Sequence, residues 1–332
     1  MSSKIKYDLG FGNAVAVRQA FLNSYHGNMI VFTGEKLSEF DYPPYAGDPE
    51  LIEITRKVIK RQTGHDYKHI ILTNGATGAV TIALRMYAQK HFQYCCTRPA
   101  PWYLRYPNMI SAAGLIHETV NNYKGVSQVT LLDYPSNPLG ITTDIQRPSP
   151  HTRVILDGVY HSQVYSKLIL PLPKHDVLVG SYSKLLGLNG IRVGWIATDW
   201  DYDYQDMLDL AIGEYCGLSV ASMEILKNAL WDFDWESFEG VARLMLDDNR
   251  EEFAKLEKYF GTKVPEIGMF YYGNVDMKCR KLMDKVGILW TSGESLGTSY
   301  EFGRLNMGQD RDVVWNAVND FIKADKITGS KS

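Results

Sequence analysis

The chemistry-bearing residues of this chain concentrate in one stretch, Gly180-Ser-Tyr-Ser-Lys-Leu-Leu-Gly-Leu-Asn-Gly-Ile-Arg-Val-Gly-Trp195. An apolar run ends at Gly180 and enters a polar turn carrying two hydroxyls, Ser181 and Ser183, and one lysine, Lys184. Arg192 follows eight residues later, ahead of another apolar run. A lysine partly withdrawn from water forms imines readily, because burial lowers its pKa and frees the lone pair. Hydroxyls and an arginine suit a phosphate dianion. A lone lysine in a Gly/Ser turn is ordinarily a solvated surface residue, so the reading depends on what accompanies it.

Other segments offer compatible chemistry, each with a bland alternative. Asn74-Gly-Ala-Thr-Gly-Ala79 opens a helical run after a buried one. Helix N-terminal N–H groups favour an anion, and small residues let it approach, although a plain strand-to-helix turn looks the same. The segment does not match the GxGxxG fingerprint of dinucleotide sites, so a nicotinamide reading fails there. Pro101-Trp-Tyr-Leu-Arg-Tyr106 presents aromatic faces that could stack on a flat ring or fill a core. Tyr134-Pro-Ser-Asn-Pro-Leu-Gly140 reads as a turn. Asp157-Gly-Val-Tyr160 closes a strand, where an aspartate could equally cap a helix. Tyr42-Pro-Pro-Tyr-Ala-Gly47 precedes the first clear helix. Glu301-Phe-Gly-Arg-Leu-Asn-Met-Gly308 carries an arginine able to grip a carboxylate with two parallel hydrogen bonds.

Taken in chain order, from about Tyr42 to Gly308, the segments resemble those of the fold-type-I aminotransferases, the class that includes aspartate and histidinol-phosphate aminotransferases. The lysine stretch resembles that family's S-x-S-K…G-x-x-G-x-R-x-G-W signature, and the others its T-N-G-A-T-x-A, P-x-Y-x-x-Y, N-P-x-G, D-x-x-Y and R-[LIV]-[NS]-x-G elements. The resemblance implies pyridoxal 5'-phosphate (PLP) as cofactor, held by Lys184 as a Schiff base, with Lys184 later moving the proton at the substrate's Cα. Ser181, Ser183 and Arg192 would hold the phosphate, together with Thr77 and the backbone of Ala76. Tyr103 would stack on the pyridine ring, with Trp102 its rival. Asp157 would pair with the ring nitrogen, and Asn137 and Tyr160 with the phenolic oxygen. Arg304, with Asn137, would bind the substrate carboxylate, and Phe11, Gly12 and Asn13 would line the pocket. Tyr42, or less well Tyr45, would reach the phosphate of the other subunit, making the protein a homodimer completed in trans. Two departures stand out: Gly158 where the family often has Glu, and Ser292–Gly297 without the Pro and Phe of the family's P-G-x-x-F-G loop.

The implied reaction is transamination between an α-amino acid and a 2-oxo acid, as a ping-pong pair of half-reactions. The same cofactor site also supports β-elimination, cyclisation, racemisation or oxidation. A non-catalytic PLP-binding protein is the remaining alternative; the intact Lys184 and the lack of a basic DNA-binding flank speak against it.

The elements that must position these residues read as alternating strands and helices. The strands are His69–Thr73, Tyr94–Thr97, Leu115–Val120, Val129–Asp133, Val154–Asp157, Val177–Gly180 and Val193–Ala197. That pattern predicts an α/β fold with a mainly parallel seven-stranded sheet covered on both faces, the PLP-dependent transferase fold type I that the resemblance implies. Helical stretches over Ser219–Trp231 and Glu236–Phe260, strands at Met269–Tyr272 and Tyr300–Asn306, and a helix near Val313–Ile322 predict a smaller α+β domain. The expected division is 45–220 for the large domain, and 1–44 with 221–332 for the small one. The polar end, Lys326–Ser332, reads as a frayed tail.

Composition narrows the partners. The chain has 332 residues, 45% apolar and 22% charged, with a formal net charge of -3. It contains no basic tract of the kind that binds nucleic acid or an anionic membrane. It also has no signal peptide and no run of roughly 18 apolar residues, which reads as cytoplasmic. Four cysteines form no CxxC pair and eight histidines no ligand-spaced cluster, so no metal is expected.

Overall fold

The computed structural model describes residues 5–25, 41–120, 128–142 and 151–329. After a short β1 (Tyr7–Asp8), the main strands are β2 (His69–Asn74), β3 (Tyr94–Thr97), β4 (Ile116–Thr119), β5 (Val129–Asp133), β6 (Arg153–Asp157), β7 (Val177–Ser181) and β8 (Val193–Thr198). Apart from β1 they form one seven-stranded sheet in the order β2-β8-β7-β6-β5-β3-β4. All neighbours run parallel except β8, which is antiparallel to both β2 and β7. Such a sheet must be buried on both faces, and the strands show it by alternation. Ile70, Leu72, Leu132, Leu156 and Leu178 join one apolar core, while Ile71, Leu131, Ile155, Val177 and Val179 join another.

Helices cover each face. Gly75–Gln89, Tyr106–Ala112 and Asp201–Tyr215 supply the second core. The first core takes helices Val15–Ser24, Pro49–Thr63, Val220–Leu230 and the early turns of Trp235–Ala254. The N-terminal helix and the two helices after residue 219 thus share packing with the large sheet. Helix Pro49–Thr63 starts as its sequence predicts: Asp48 caps it by accepting from the Leu51 N–H at 2.8 Å, and Pro49 occupies the first position.

A third core lies around β9 (Phe270–Asn274), β10 (Ile288–Leu289), β11 (Thr291–Ser292) and β12 (Phe302–Asn306), with helices Met277–Val286 and Arg311–Gly329. The strands β11-β12-β9 form an antiparallel sheet, and β1 pairs in parallel with β10, tying the N-terminal segment to this unit.

Some boundaries differ from expectation. The stretch expected as one helix over Glu236–Phe260 breaks after Ala254 and resumes as Glu257–Phe260. At the break, the Lys255 and Leu256 N–H groups bond three residues back, a tightening that turns Leu256 and Phe260 into the third core. The last helix extends from Arg311 to Gly329, so Lys326–Gly329 are not a frayed tail. It is held by Asp325, which pairs with Lys278 at 2.7 Å and accepts from the Tyr259 hydroxyl at 3.0 Å. Residues 330–332 of the expected tail lie outside the described residues. None of the described helices is long and apolar enough to cross a membrane. The cysteines are unpaired: Cys95, Cys96 and Cys279 are buried and Cys216 is exposed.

Candidate active site

The ends of several strands meet at one edge of the large sheet. Asp133 ends β5, Asp157 ends β6 and Ser181 ends β7, and the register sets Asp133 beside Asp157. Because β8 runs the other way, its start lies at the same edge: Val193 pairs with Asn74 at the end of β2, and Gly194 with Ser181. Ligands of open α/β sheets bind at the carboxyl ends of strands. Here that edge opens into a cavity of about 770 Å³.

One end of the cavity suits an anion. Helix Gly75–Gln89 begins there, so the amides of its first turn lack intrahelical partners. Gly75 has φ of +66°, and a Cβ on it would lie 2.6 Å from Arg192 Nη2. At Gly194 a Cβ would come within 2.7 Å of the Ala76 nitrogen. Glycine at both positions lets the guanidinium, the helix start and the end of β7 converge. Arg192 itself holds a left-handed backbone (φ +54°), a strained conformation for a side chain of this size. Its Nη1 donates to Ser183 Oγ at 3.3 Å and to the Asn189 carbonyl at 3.0 Å. Ser181 Oγ accepts from the Ser183 N–H at 3.1 Å.

Lys184 stands at the middle. Its Nζ donates to the Gly12 carbonyl at 2.5 Å and to Asn189 Oδ1 at 3.3 Å. Burial lowers its pKa to about 8, helped by the Arg304 and Arg192 charges. Asp157 lies deeper, accepting from the Tyr106 hydroxyl at 2.7 Å and from the Val159 N–H at 3.1 Å. Burial nonetheless pushes its carboxyl up to about 6. Burial also raises the phenols of Tyr160 and Tyr103.

Arg304, on β12, closes the far side. Its Nη1 donates to Asn137 Oδ1 at 3.1 Å; Nη2 donates to the Gly10 carbonyl at 3.2 Å and to Thr291 Oγ1 at 3.3 Å. Phe270 lies under the guanidinium, 4.1 Å from ring centroid to Cζ. Arg304 Nε is buried without a hydrogen-bond partner. The segment Gly10–Asn13 crosses the mouth, held by Asn306, which donates to the Phe11 and Asn13 carbonyls at 2.7 and 2.8 Å.

Of the residues singled out from the sequence, Ala76, Thr77, Tyr103, Asn137, Asp157 and Tyr160 line this cavity. So do Ser181, Ser183, Lys184, Arg192 and Arg304, and the N-terminal Phe11, Gly12 and Asn13. Trp102 does not; it packs edge-on against His117 and beneath Gly297. Tyr42 is 83% exposed and stands outside the cavity of its own chain, as does the half-exposed Tyr45. Sequence reasoning missed Tyr106 as a partner of Asp157, Arg105 at the rim, and the ion pair of Arg98 with Asp133, 3.0 Å apart. The available signal for Asp133 was its place at the end of a buried strand, like Asp157.

Comparison with known proteins decides the family. The model of "Aminotransferase class I and II" matches residues 6–321. The chain belongs to the class I and II aminotransferases. It is a PLP-dependent aminotransferase, acting on amino acids and 2-oxo acids. It is 21% identical to an aspartate aminotransferase of Pyrococcus horikoshii, over 85% of this chain and 82% of that protein. It is 25% identical to a probable aspartate/prephenate aminotransferase of Rhizobium leguminosarum over 193 residues, half of this chain and 48% of that protein. The fold superposes on a Thermus thermophilus aspartate aminotransferase double mutant with a TM-score of 0.77 at 15% identity, covering 97% of this chain and 92% of that one. A tyrosine aminotransferase from Leishmania infantum gives 0.76 at 17% identity, covering 97% and 91%. The aminotransferase fold type I expected from the sequence is therefore the fold of this chain.

Proposed function

We propose that this aminotransferase holds PLP in the cavity at the sheet edge, with Lys184 as the residue that bonds it and moves the proton. The supporting observation is Lys184 Nζ, half-buried with its pKa lowered to about 8, among groups that each suit a different part of the cofactor and substrate.

The residues present fit PLP. The helix N-terminus, Thr77, Ser181, Ser183 and Arg192 match a phosphate dianion. Asp157, a carboxyl that burial raises and no cation offsets, matches a protonated ring nitrogen. Tyr103 offers its face to the ring, and Tyr160 and Asn137 offer donors to the phenolic oxygen. Arg304, with a buried Nε that lacks an acceptor, matches a substrate carboxylate.

When bound, the pyridine ring takes up the electron pair left as the Cα–H bond breaks. Asp157 contributes by staying ionised against that ring, which a nearby positive charge makes easier. Arg304 orients the substrate by its carboxylate, turning the Cα–H bond toward Lys184. Lys184, its pKa lowered to about 8, would accept the proton from Cα and return it to the carbon on the other side of the substrate nitrogen. The Gly10–Asn13 segment, Phe270 and Trp290 shield the reacting atoms from water.

We further propose a homodimer in which Tyr42 serves the phosphate end of the partner's cavity. Support comes from its exposure outside its own cavity and from the solvent-facing position of Arg192 at that end.

The deciding experiment is an absorbance spectrum of the PLP-loaded protein before and after a mixed pool of amino acids without any oxo acid. The expected result is conversion of the visible cofactor band to the amine form, lost in Lys184→Ala. A band that persists while pyruvate, ammonia or peroxide accumulates would replace transamination by elimination or oxidation.

A further inference from the structure

Two buried charges beside the cavity have no role in the reading above. Arg98 follows β3 and is 6% exposed; Asp133 ends β5 and is 3% exposed. Arg98 Nε donates to Asp133 Oδ1 at 3.0 Å, and its Nη2 donates to the Asp133 backbone carbonyl at 3.1 Å. The other carboxylate oxygen, Oδ2, accepts from the backbone N–H of Asn137 at 2.8 Å. Asn137 Oδ1 in turn accepts from Arg304 Nη1 at 3.1 Å. One unbroken chain of hydrogen bonds thus runs from Arg98 to Arg304, and every member is buried.

Stability is a poor explanation for such a pair. Two charges withdrawn from water lose hydration that their attraction only about repays, and apolar replacements of similar volume are often neutral. A clearer consequence is geometric. Arg98 grips both the side chain and the main chain of Asp133, so the carboxylate has little freedom to rotate. The fixed oxygen pins the backbone of Asn137, and the pinned amide offers its oxygen to Arg304 at a fixed place. The guanidinium is planar, with five N–H groups in a rigid fork. Asn137 on one nitrogen, with Gly10 and Thr291 on the other, sets the plane of that fork.

We propose that Asp133, locked by Arg98, is a positioning residue for substrate carboxylates: it holds Asn137, and through Asn137 the Arg304 fork. The proposal rests on Arg304 being the carboxylate clamp. Since Asp133 also lines the cavity, its contact with Asn137 must be separated from any direct contact with the substrate. A role through Arg304 concerns only the α-carboxylate, which all amino acids share. The effect is therefore the same factor for every amino acid, whatever its side chain.

The experiment follows the amino-acid half-reaction of the PLP-loaded enzyme, recording half-saturating concentration and limiting rate for several amino acids. In Asp133→Asn, which keeps the shape but loses the charge that Arg98 grips, half-saturation is expected to rise about ten-fold for each of them. The limiting rate should change much less, and the cofactor should stay bound. Placed in an Arg304→Lys background, the same substitution should add less than a two-fold effect, because residues acting through one another are not additive. Arg98→Lys, which keeps the charge but loses the two-point grip, should give a smaller uniform rise and serves also if Asp133→Asn fails to fold. A shift that depends on the side chain, or falls mainly on the limiting rate, would overturn the proposal, as would full additivity with Arg304→Lys. A lowered melting temperature with unchanged half-saturation would reduce the pair to a structural one. If instead Arg304→Lys leaves half-saturation unchanged in otherwise wild-type enzyme, the clamp reading itself has failed.

Discussion

Lys184 and Asp157 are both shifted by burial, in opposite directions, and each shift has a measurable sign. The Asp157 carboxyl titrates near 6 in the folded protein, against 3.8 as its ordinary value. The folded state therefore holds this proton more tightly than the unfolded chain does. That contribution to stability is complete below 3.8 and is lost as the pH rises through 6. Asp157→Asn, which cannot ionise, is thus expected to be more stable than wild type at pH 8 in the cofactor-free protein, the gap closing by about pH 4. Thermal unfolding of both proteins across that range checks it. With PLP bound the same substitution should depress turnover, since the ring nitrogen loses its anionic partner. At this scale the sequence was informative where a residue type sits in a distinctive local pattern, as for Lys184, Arg192 and Arg304. It was silent on the pairing of Arg98 with Asp133, which spans 35 positions and exists only because β3 and β5 are neighbours.

Among the elements, the inner strands β5, β6 and β7 were legible because burial on both faces makes each a largely apolar run between polar turns, whereas the edge strand β4 is half-exposed. Boundaries were less so. The break after Ala254 depends on a third core assembled from distant strands, and the length of the last helix depends on Lys278 and Tyr259. The start of helix Gly75–Gln89 is where local geometry and ligand binding coincide. Gly75→Ala adds a Cβ to a left-handed residue and pushes it against Arg192. The expected outcome is weaker retention of PLP with little change in helical circular dichroism, because the strain of about 1 kcal/mol is small beside the fold. Fluorescence titration of the cofactor-free variant with PLP measures it. Unaltered affinity would mean that the anion does not sit at this helix end.

For the whole molecule, the question is whether one chain makes one site. If Tyr42 works in the partner's cavity, then Tyr42→Ala and Lys184→Ala damage different halves of the same site. Refolding them together at equal amounts should restore roughly a quarter of wild-type activity, since random pairing makes half the dimers mixed and each mixed dimer holds one intact site. Either variant alone should stay far below that level, and a single-chain active species in sedimentation would end the idea. The sequence suggested this arrangement only through the spacing of Tyr42 from Gly47; the exposed position of Tyr42 is what the fold adds.

The uneven placement of the thiols has a practical outcome. Burial pushes Cys96 and Cys279 up to about 12 and raises Cys95 as well, leaving these three slow to alkylate while the chain stays folded. Cys216 is exposed, and the adjacent Gly217 packs against Pro43, next to Tyr42. A maleimide dye should therefore label the native protein once per chain, beside the loop proposed to cross between subunits. Its fluorescence would report the approach of a second chain without any engineered cysteine.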